Sequence, residues 1–244
     1  MRRILAIGFV VGLLLLGVAG QVGVKHRRAR EVSVMDEGVI ATLGGFRSIA
    51  AEVIWWRAER LKEEGRFSEL LQLATMLTYL QPHDAEVWEY AAWNLAYNIS
   101  VNMPHPEDRW PWVYSAIKLL RDEGLRWNPG DPDICCELVK LYQLKIGLTY
   151  DSCSSYYRES WRAIVDDVAR RDAWAEIGMD RRRMDELERT YGISDWGHPQ
   201  ASAIYWGVTG LARANTSQRR ILESAIRDSK SLYERKPEPA GGAR

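Results

Sequence analysis

The chain has 244 residues, 33 of them basic and 33 acidic, and 46% of its residues are hydrophobic, enough for one sizeable domain once any membrane segment is set aside. Balanced charge gives no field that would gather nucleic acid, an anionic surface or an acidic substrate, so partner choice must rest on local surface. Three cysteines, two of them adjacent (Cys135, Cys136) and one alone (Cys153), make no disulfide framework.

From Ile4 to Val24 the chain carries no charge, and these 21 residues are about the length a helix needs to cross a bilayer core. Arg2 and Arg3 precede the segment, and Lys25, Arg27, Arg28 and Arg30 follow it. It is read as a membrane anchor, residues 1–24, followed by a basic linker, 25–45. Val18-Ala19-Gly20 resembles the end of a cleavable signal, but a terminus created there would lead straight into the basic cluster, so the uncleaved anchor is preferred. Orientation is nearly tied, because four basic residues after the segment face two plus the amino terminus before it. The export-like basic start is given precedence over the later cluster. The expected location is therefore the cell (inner) membrane, single-pass, with the soluble domain on the extracytoplasmic side.

Beyond the linker the spacing predicts helices throughout 46–236, broken by Pro and Gly and with no sustained two-residue alternation. Ala51-Glu52-Val53-Ile54 recurs 34 positions later as Ala85-Glu86-Val87-Trp88, and the same offset relates Ala58 to Ala92 and Leu61 to Leu95. Gly65 ends the first helix and Pro82 closes the second, so the stretch reads as an antiparallel pair with a tight turn.

On Ala58, Leu61, Gly65, Phe67, Leu77, Leu80 and Pro82 the sequence resembles the tetratricopeptide repeat family. A second unit opens with Trp88, Ala91, Ala92 and Leu95, then departs from the pattern. An irregular insertion over 99–112 is expected there, with the partner helix resuming at Val113 and closing at Trp127-Asn128-Pro129. A third unit starts near Pro132, with Leu138 and Tyr142 at core spacing and a partner helix over 154–170; a last pair spans 201–214 and 217–233. The resemblance is specific in the first unit and diluted by insertions over 46–234. It implies an all-α fold, a transmembrane helix followed by an α-solenoid of antiparallel pairs whose core comes from stacking. The tail, 237–244, carries no packing signal.

No residue pattern points to chemistry. His26, His83, His105 and His198 have no metal-ligand spacing, and Cys135 and Cys136 lack the two-residue gap of a redox or metal motif, so neither a metal nor a cofactor is expected. One of these two thiols should face the core and the other the groove. Arg181-Arg182-Arg183 is offset by Asp180, Asp185, Glu186 and Glu188, the pattern of a solvated helix rather than a nucleic-acid patch.

What the resemblance does imply is a concave groove lined by the first helix of each pair. It would carry Glu52, Trp55, Glu59 and Lys62 from the first unit and Glu86, Glu89, Trp93 and Tyr97 from the second. Such a surface, acidic and aromatic, suits a basic or extended peptide or the face of a neighbouring subunit. The expected function is thus a membrane-tethered scaffold that binds other proteins and is not an enzyme. The alternative is a membrane-anchored enzyme or carrier using His105, Glu107 and Asp108 of the 99–112 insertion.

Overall fold

Proline opens three of the helices, at Pro106, Pro132 and Pro199, and glycine caps two, at Gly65 and Gly192. The computed structural model describes residues 36–235, with side chains from Arg47 onward. The segment read as an anchor (1–24), half of the stretch read as a basic linker and the tail (237–244) lie outside the described residues. The chain divides into two compact units, Met1–Gly45 and Phe46–Arg244. The described residues are helical with no strand, and none of their helices is long and apolar enough to cross a membrane.

Nine helices make up the described part. They are α1 (Asp36–Glu63), α2 (Phe67–Leu80), α3 (Ala85–Trp93), α4 (Pro106–Lys118), α5 (Pro132–Lys140), α6 (Ser154–Arg171), α7 (Arg181–Tyr191), α8 (Pro199–Leu211) and α9 (Thr216–Glu234). Three of them do not stop where their α-helical hydrogen bonding stops. α3, α4 and α5 each run on into a wider π turn, at Asn94–Ile99, Leu119–Gly124 and Leu141–Ile146. Such turns hold one extra residue and rotate everything after them.

Two boundaries depart from expectation. α1 begins at Asp36, inside the stretch read as linker, because no proline interrupts 36–63 and Gly38, Gly44 and Gly45 weaken a helix without ending it. α4 begins at Pro106 rather than Val113, so most of the supposed irregular insertion is helix. Pro106 occupies the first turn, where its missing N–H is no loss. Pro111 leaves only the Glu107 carbonyl without its usual donor.

The first hairpin closes as its sequence requires. Gly65 takes φ +70°, and the amides of Gly65 and Arg66 donate to the carbonyls of Lys62 and Leu61 at 3.1 and 2.9 Å, a left-handed cap that satisfies the end of α1. At the other end Arg47 donates to the carbonyls of Tyr79 and Leu80 at 3.2 and 3.1 Å, which satisfies the last turn of α2. Between them Ala58, Leu61 and Leu70 form a small cluster with Phe67, Leu73 and Tyr90.

Within the second unit α3 lies along α2, and α4 packs against the π turn of α3. α5 contacts α3 and the π turn of α4, α6 covers α4 and the π turn of α5, and α8 sits between α5 and α9. The main core runs from Val87, Trp88 and Ala92 through Ile117, Leu120, Ile134 and Leu138 to Tyr142, Trp161 and Ile204. α8 approaches its neighbours closely through glycine: a Cβ on Gly210 would lie 2.8 Å from Cys135 Cβ, and one on Gly207 2.7 Å from Ile226. At the junction of the first two pairs the Pro82 carbonyl accepts from Trp88 Nε1 at 2.9 Å and from Asn128 Nδ2 at 2.8 Å.

Candidate interaction groove

Helical spacing places Glu52, Trp55, Glu59 and Lys62 on one side of α1, and Glu86, Glu89, Trp93 and Tyr97 on one side of α3. The two rows meet. Trp55 lies edge-on to Tyr90, ring centroids 4.8 Å apart, and its indole N–H donates to Gln81 at 3.3 Å. Lys62 Nζ stands 5.9 Å from the Tyr90 ring and 5.7 Å from the Trp93 ring, within reach of a cation–π attraction, while pairing with Glu59 at 3.7 Å. Trp93 stacks on Tyr97 at 6.0 Å. Glu52 and Glu86 are exposed at the margin.

The row continues onto α5, where sequence reasoning did not follow it. Lys145, in the π turn of α5, places its ammonium 4.9 Å from the Tyr97 ring and 5.9 Å from the Tyr157 ring. Its side chain is only 4% exposed, a burial a lysine tolerates only when paired, and Asp151 supplies the partner at 2.5 Å. Arg109 approaches the same carboxylate at 3.8 Å, and the Cys153 amide donates to it at 2.9 Å. Burial alone would push the Asp151 carboxyl up. The Lys145 hydrogen bond, the amide and Arg109 outweigh it and hold the group below its usual range.

Between α3 and α5 the acids crowd. Glu89 is pushed up to about 7, first by burial and then by Glu137, with Lys140 acting against both. Glu137 is itself buried and paired to Lys140 at 2.9 Å. Burial, with the Glu59 and Glu137 charges respectively, also raises the Tyr90 phenol to about 12 and the Tyr97 phenol well above its ordinary value. These rings are therefore neutral donors and stacking surfaces at any physiological pH.

The resulting strip alternates rings with ion pairs: Glu59–Lys62, Trp93–Tyr97, Glu137–Lys140, Lys145–Asp151. Of the four acids expected on it, Glu59 is paired with Lys62 and Glu89 is pushed up to about 7, while Glu52 and Glu86 stay exposed at the margin. Cys135 is buried in the main core, and Cys136, half-buried beside Lys140 and Glu89, packs against the same core. The π turns explain why Tyr97 and Lys145 meet, since one inserted residue turns the rest of a helix by about 100°.

Residues outside the strip are placed as follows. His105, Glu107 and Asp108 are all solvent-exposed at the start of α4, whereas Arg109 beside them turns inward to the Met103 carbonyl at 2.7 Å. A cavity of about 370 Å³ opens among Tyr114, Ile164, Val168 and Ile177, rimmed by the Arg171 pairs to Asp167 and Glu176. It contains none of the groove residues. Among the described residues no three His, Cys, Asp or Glu side chains gather as a metal would require. No family model, curated protein or solved structure matches the chain.

Proposed function

We propose that the chain is a membrane-tethered helical-repeat scaffold of tetratricopeptide-like architecture, which binds a segment of another protein along the strip formed by α1, α3 and α5. The observation that carries this reading is the continuous contact Trp55–Tyr90–Lys62–Trp93–Tyr97–Lys145. Side chains of this kind, aromatic and amphipathic with charged neighbours, dominate protein interfaces. Trp93 keeps 39% of its surface open although its neighbours are packed, which leaves a ring face for an incoming chain. Because the lysines of the strip are matched by carboxylates while Glu52 and Glu86 stay exposed at its margin, the fitting partner is an extended segment with an apolar anchor flanked by basic residues. Glu89 adds a proton that is gained or lost near neutral pH.

Affinity capture from native membranes tests this. Trp93→Ala should fold and melt like the parent and lose the partner, with a drop of about 2 kcal/mol in affinity as for a hot spot. Retention of every partner by Trp93→Ala, and by Glu59→Lys combined with Glu89→Lys, would refute the groove. The enzyme or carrier alternative gains nothing from the geometry, since His105, Glu107 and Asp108 point into solvent and converge on no cavity.

A further inference from the structure

A buried hydrogen-bond donor without an acceptor is costly, so folded chains carry few of them. Here Arg121 Nη1, the Tyr142 hydroxyl, Trp161 Nε1 and Trp206 Nε1 are all buried and without a hydrogen-bond partner. They come from four parts of the chain: Arg121 from the π turn of α4, Tyr142 from the π turn of α5, Trp161 from α6 and Trp206 from α8. The side chains adjoin one another. The Trp161 ring lies 4.9 Å from that of Tyr142. The Tyr142 hydroxyl faces Arg121 and Trp206, both of which oppose the rise in its pKa that burial causes.

The guanidinium at the centre of this group is fixed. Arg121 donates to Asp122 from Nε at 2.5 Å and from Nη2 at 2.8 Å, which offsets its charge and leaves Nη1 over. Its side chain is only 2% exposed. Gly178 closes the group from outside. Its φ is +69°, and a Cβ there would lie 2.8 Å from Arg121 Cδ and 3.3 Å from Trp206 Cη2, so glycine lets the loop seat on both. Arg121 and Tyr142 each stand in a π turn, an irregularity frequent at functional sites.

We propose that Arg121, Tyr142 and Trp206, with Trp161 beside them, bind a chloride-sized monovalent anion. The composition of the set selects this ligand. Arg121 Nη1 and the two indole nitrogens can only donate, and the Tyr142 hydroxyl can donate as well. A water molecule has two hydrogens of its own to place, and of these four atoms only the Tyr142 oxygen accepts one. A halide has none to place and accepts from every donor. Because Asp122 already offsets Arg121, the site suits a single negative charge rather than a phosphate or sulfate dianion. The way in is the cavity beside α6. Tyr114 and Ile177 line it, Tyr114 acts electrostatically on both Arg121 and Tyr142, and Ile177 precedes Gly178. The site shares no residue with the strip of α1, α3 and α5, so either reading can fail without the other.

The test uses the full chain in non-ionic detergent micelles. Melting is followed while sodium chloride replaces sodium gluconate at constant ionic strength, so that screening stays fixed. A bound anion raises the melting temperature along a saturating curve. Tyr142→Phe, which removes one hydroxyl, should move half-saturation about tenfold to higher chloride, while Trp93→Ala, in the groove, should leave it in place. Independently, the folded wild type should broaden the chloride NMR line, and added bromide should reverse the broadening by competition. Both wild-type measurements decide the matter even where Tyr142→Phe fails to fold. Equal melting in the two salts overturns the proposal, and so does a rise that never saturates. A chloride line no broader than with the unfolded chain means that water fills the site and overturns it too. Half-saturation unmoved in a folded Tyr142→Phe overturns the assignment to these residues.

Discussion

α1 carries from Ala51, and α3 opens with, the same Ala-Glu-Val pattern, and the two helices end in different ways. α1 runs regularly to Glu63 and stops in a left-handed glycine cap, whereas α3 is regular only to Trp93, widens into a π turn and finishes in a short 3-10 turn at Ser100–Asn102. What the repeat encodes is the inner face, the small Ala58 and Ala92 and the leucines after them. Each helix's end is set instead by one local residue, since Gly65 has Ile99 as its counterpart, and Ile99 is buried with an ordinary φ of −80°.

The sharpest way to break the comparison is to overfill both small positions. Ala92 and Ala58 are fully buried, but Ala92 belongs to the main core and Ala58 to the three-residue cluster of the first hairpin. In denaturant titration Ala92→Trp should therefore cost more than Ala58→Trp, the first about 3 kcal/mol or more and the second about 1–3 kcal/mol. Equal costs would mean that the two helices are not equivalent. A second pair addresses the ends. Ile99→Gly should cost about 2–4 kcal/mol through lost burial, without creating a turn, whereas Gly65→Ala should cost about 1–2 kcal/mol through left-handed strain alone. If Gly65→Ala proves neutral, the cap does not set the end of α1.

The smallest effect is the most specific to α3. Where α1 has Trp55, α3 has Glu89, whose carboxyl sits at about 7 against an ordinary 4.5. A raised pKa in the folded chain means that stability is complete below pH 4.5 and declines as pH rises toward 7, while the unfolded chain has lost the proton and the folded one still holds it. Glu89→Gln should remove that decline. It should match wild type at low pH and exceed it above pH 7 by about 1 kcal/mol, after allowance for the group's partial exposure to solvent. Parallel melting curves across the range would exclude the buried carboxyl as the cause.

Much of the helical plan was legible because Pro and Gly mark it. The pair expected at 201–214 and 217–233 is Pro199–Leu211 and Thr216–Glu234, and the helix expected at 154–170 is Ser154–Arg171. α4 was misread because Pro106 and Pro111 look like a loop, although Pro106 lies in the first turn, where a proline costs little, and Pro111 inside the helix leaves only the Glu107 carbonyl unbonded. The groove was legible as far as period 3.6 holds. Trp55, Lys62, Trp93 and Tyr97 come together, but Glu137, Lys140, Lys145 and Asp151 were missed. Lys145 lies in a π turn and Asp151 beyond it, and a π turn leaves no mark in sequence. A buried lysine among apolar neighbours, as in Leu144-Lys145-Ile146, was the available signal.

The Pro82 carbonyl, gripped by Trp88 of the next helix and by Asn128 from 46 residues away, bears on elasticity. Stacked hairpins usually flex like a spring, each sliding a little on its neighbour. Here the loop that closes the first pair is fastened to the start of the second pair and to its far end, so those two pairs tilt together as one stiff element. A load arriving through α2 is passed through that carbonyl both to the start of α3 at Trp88 and to Asn128 at the close of the second pair.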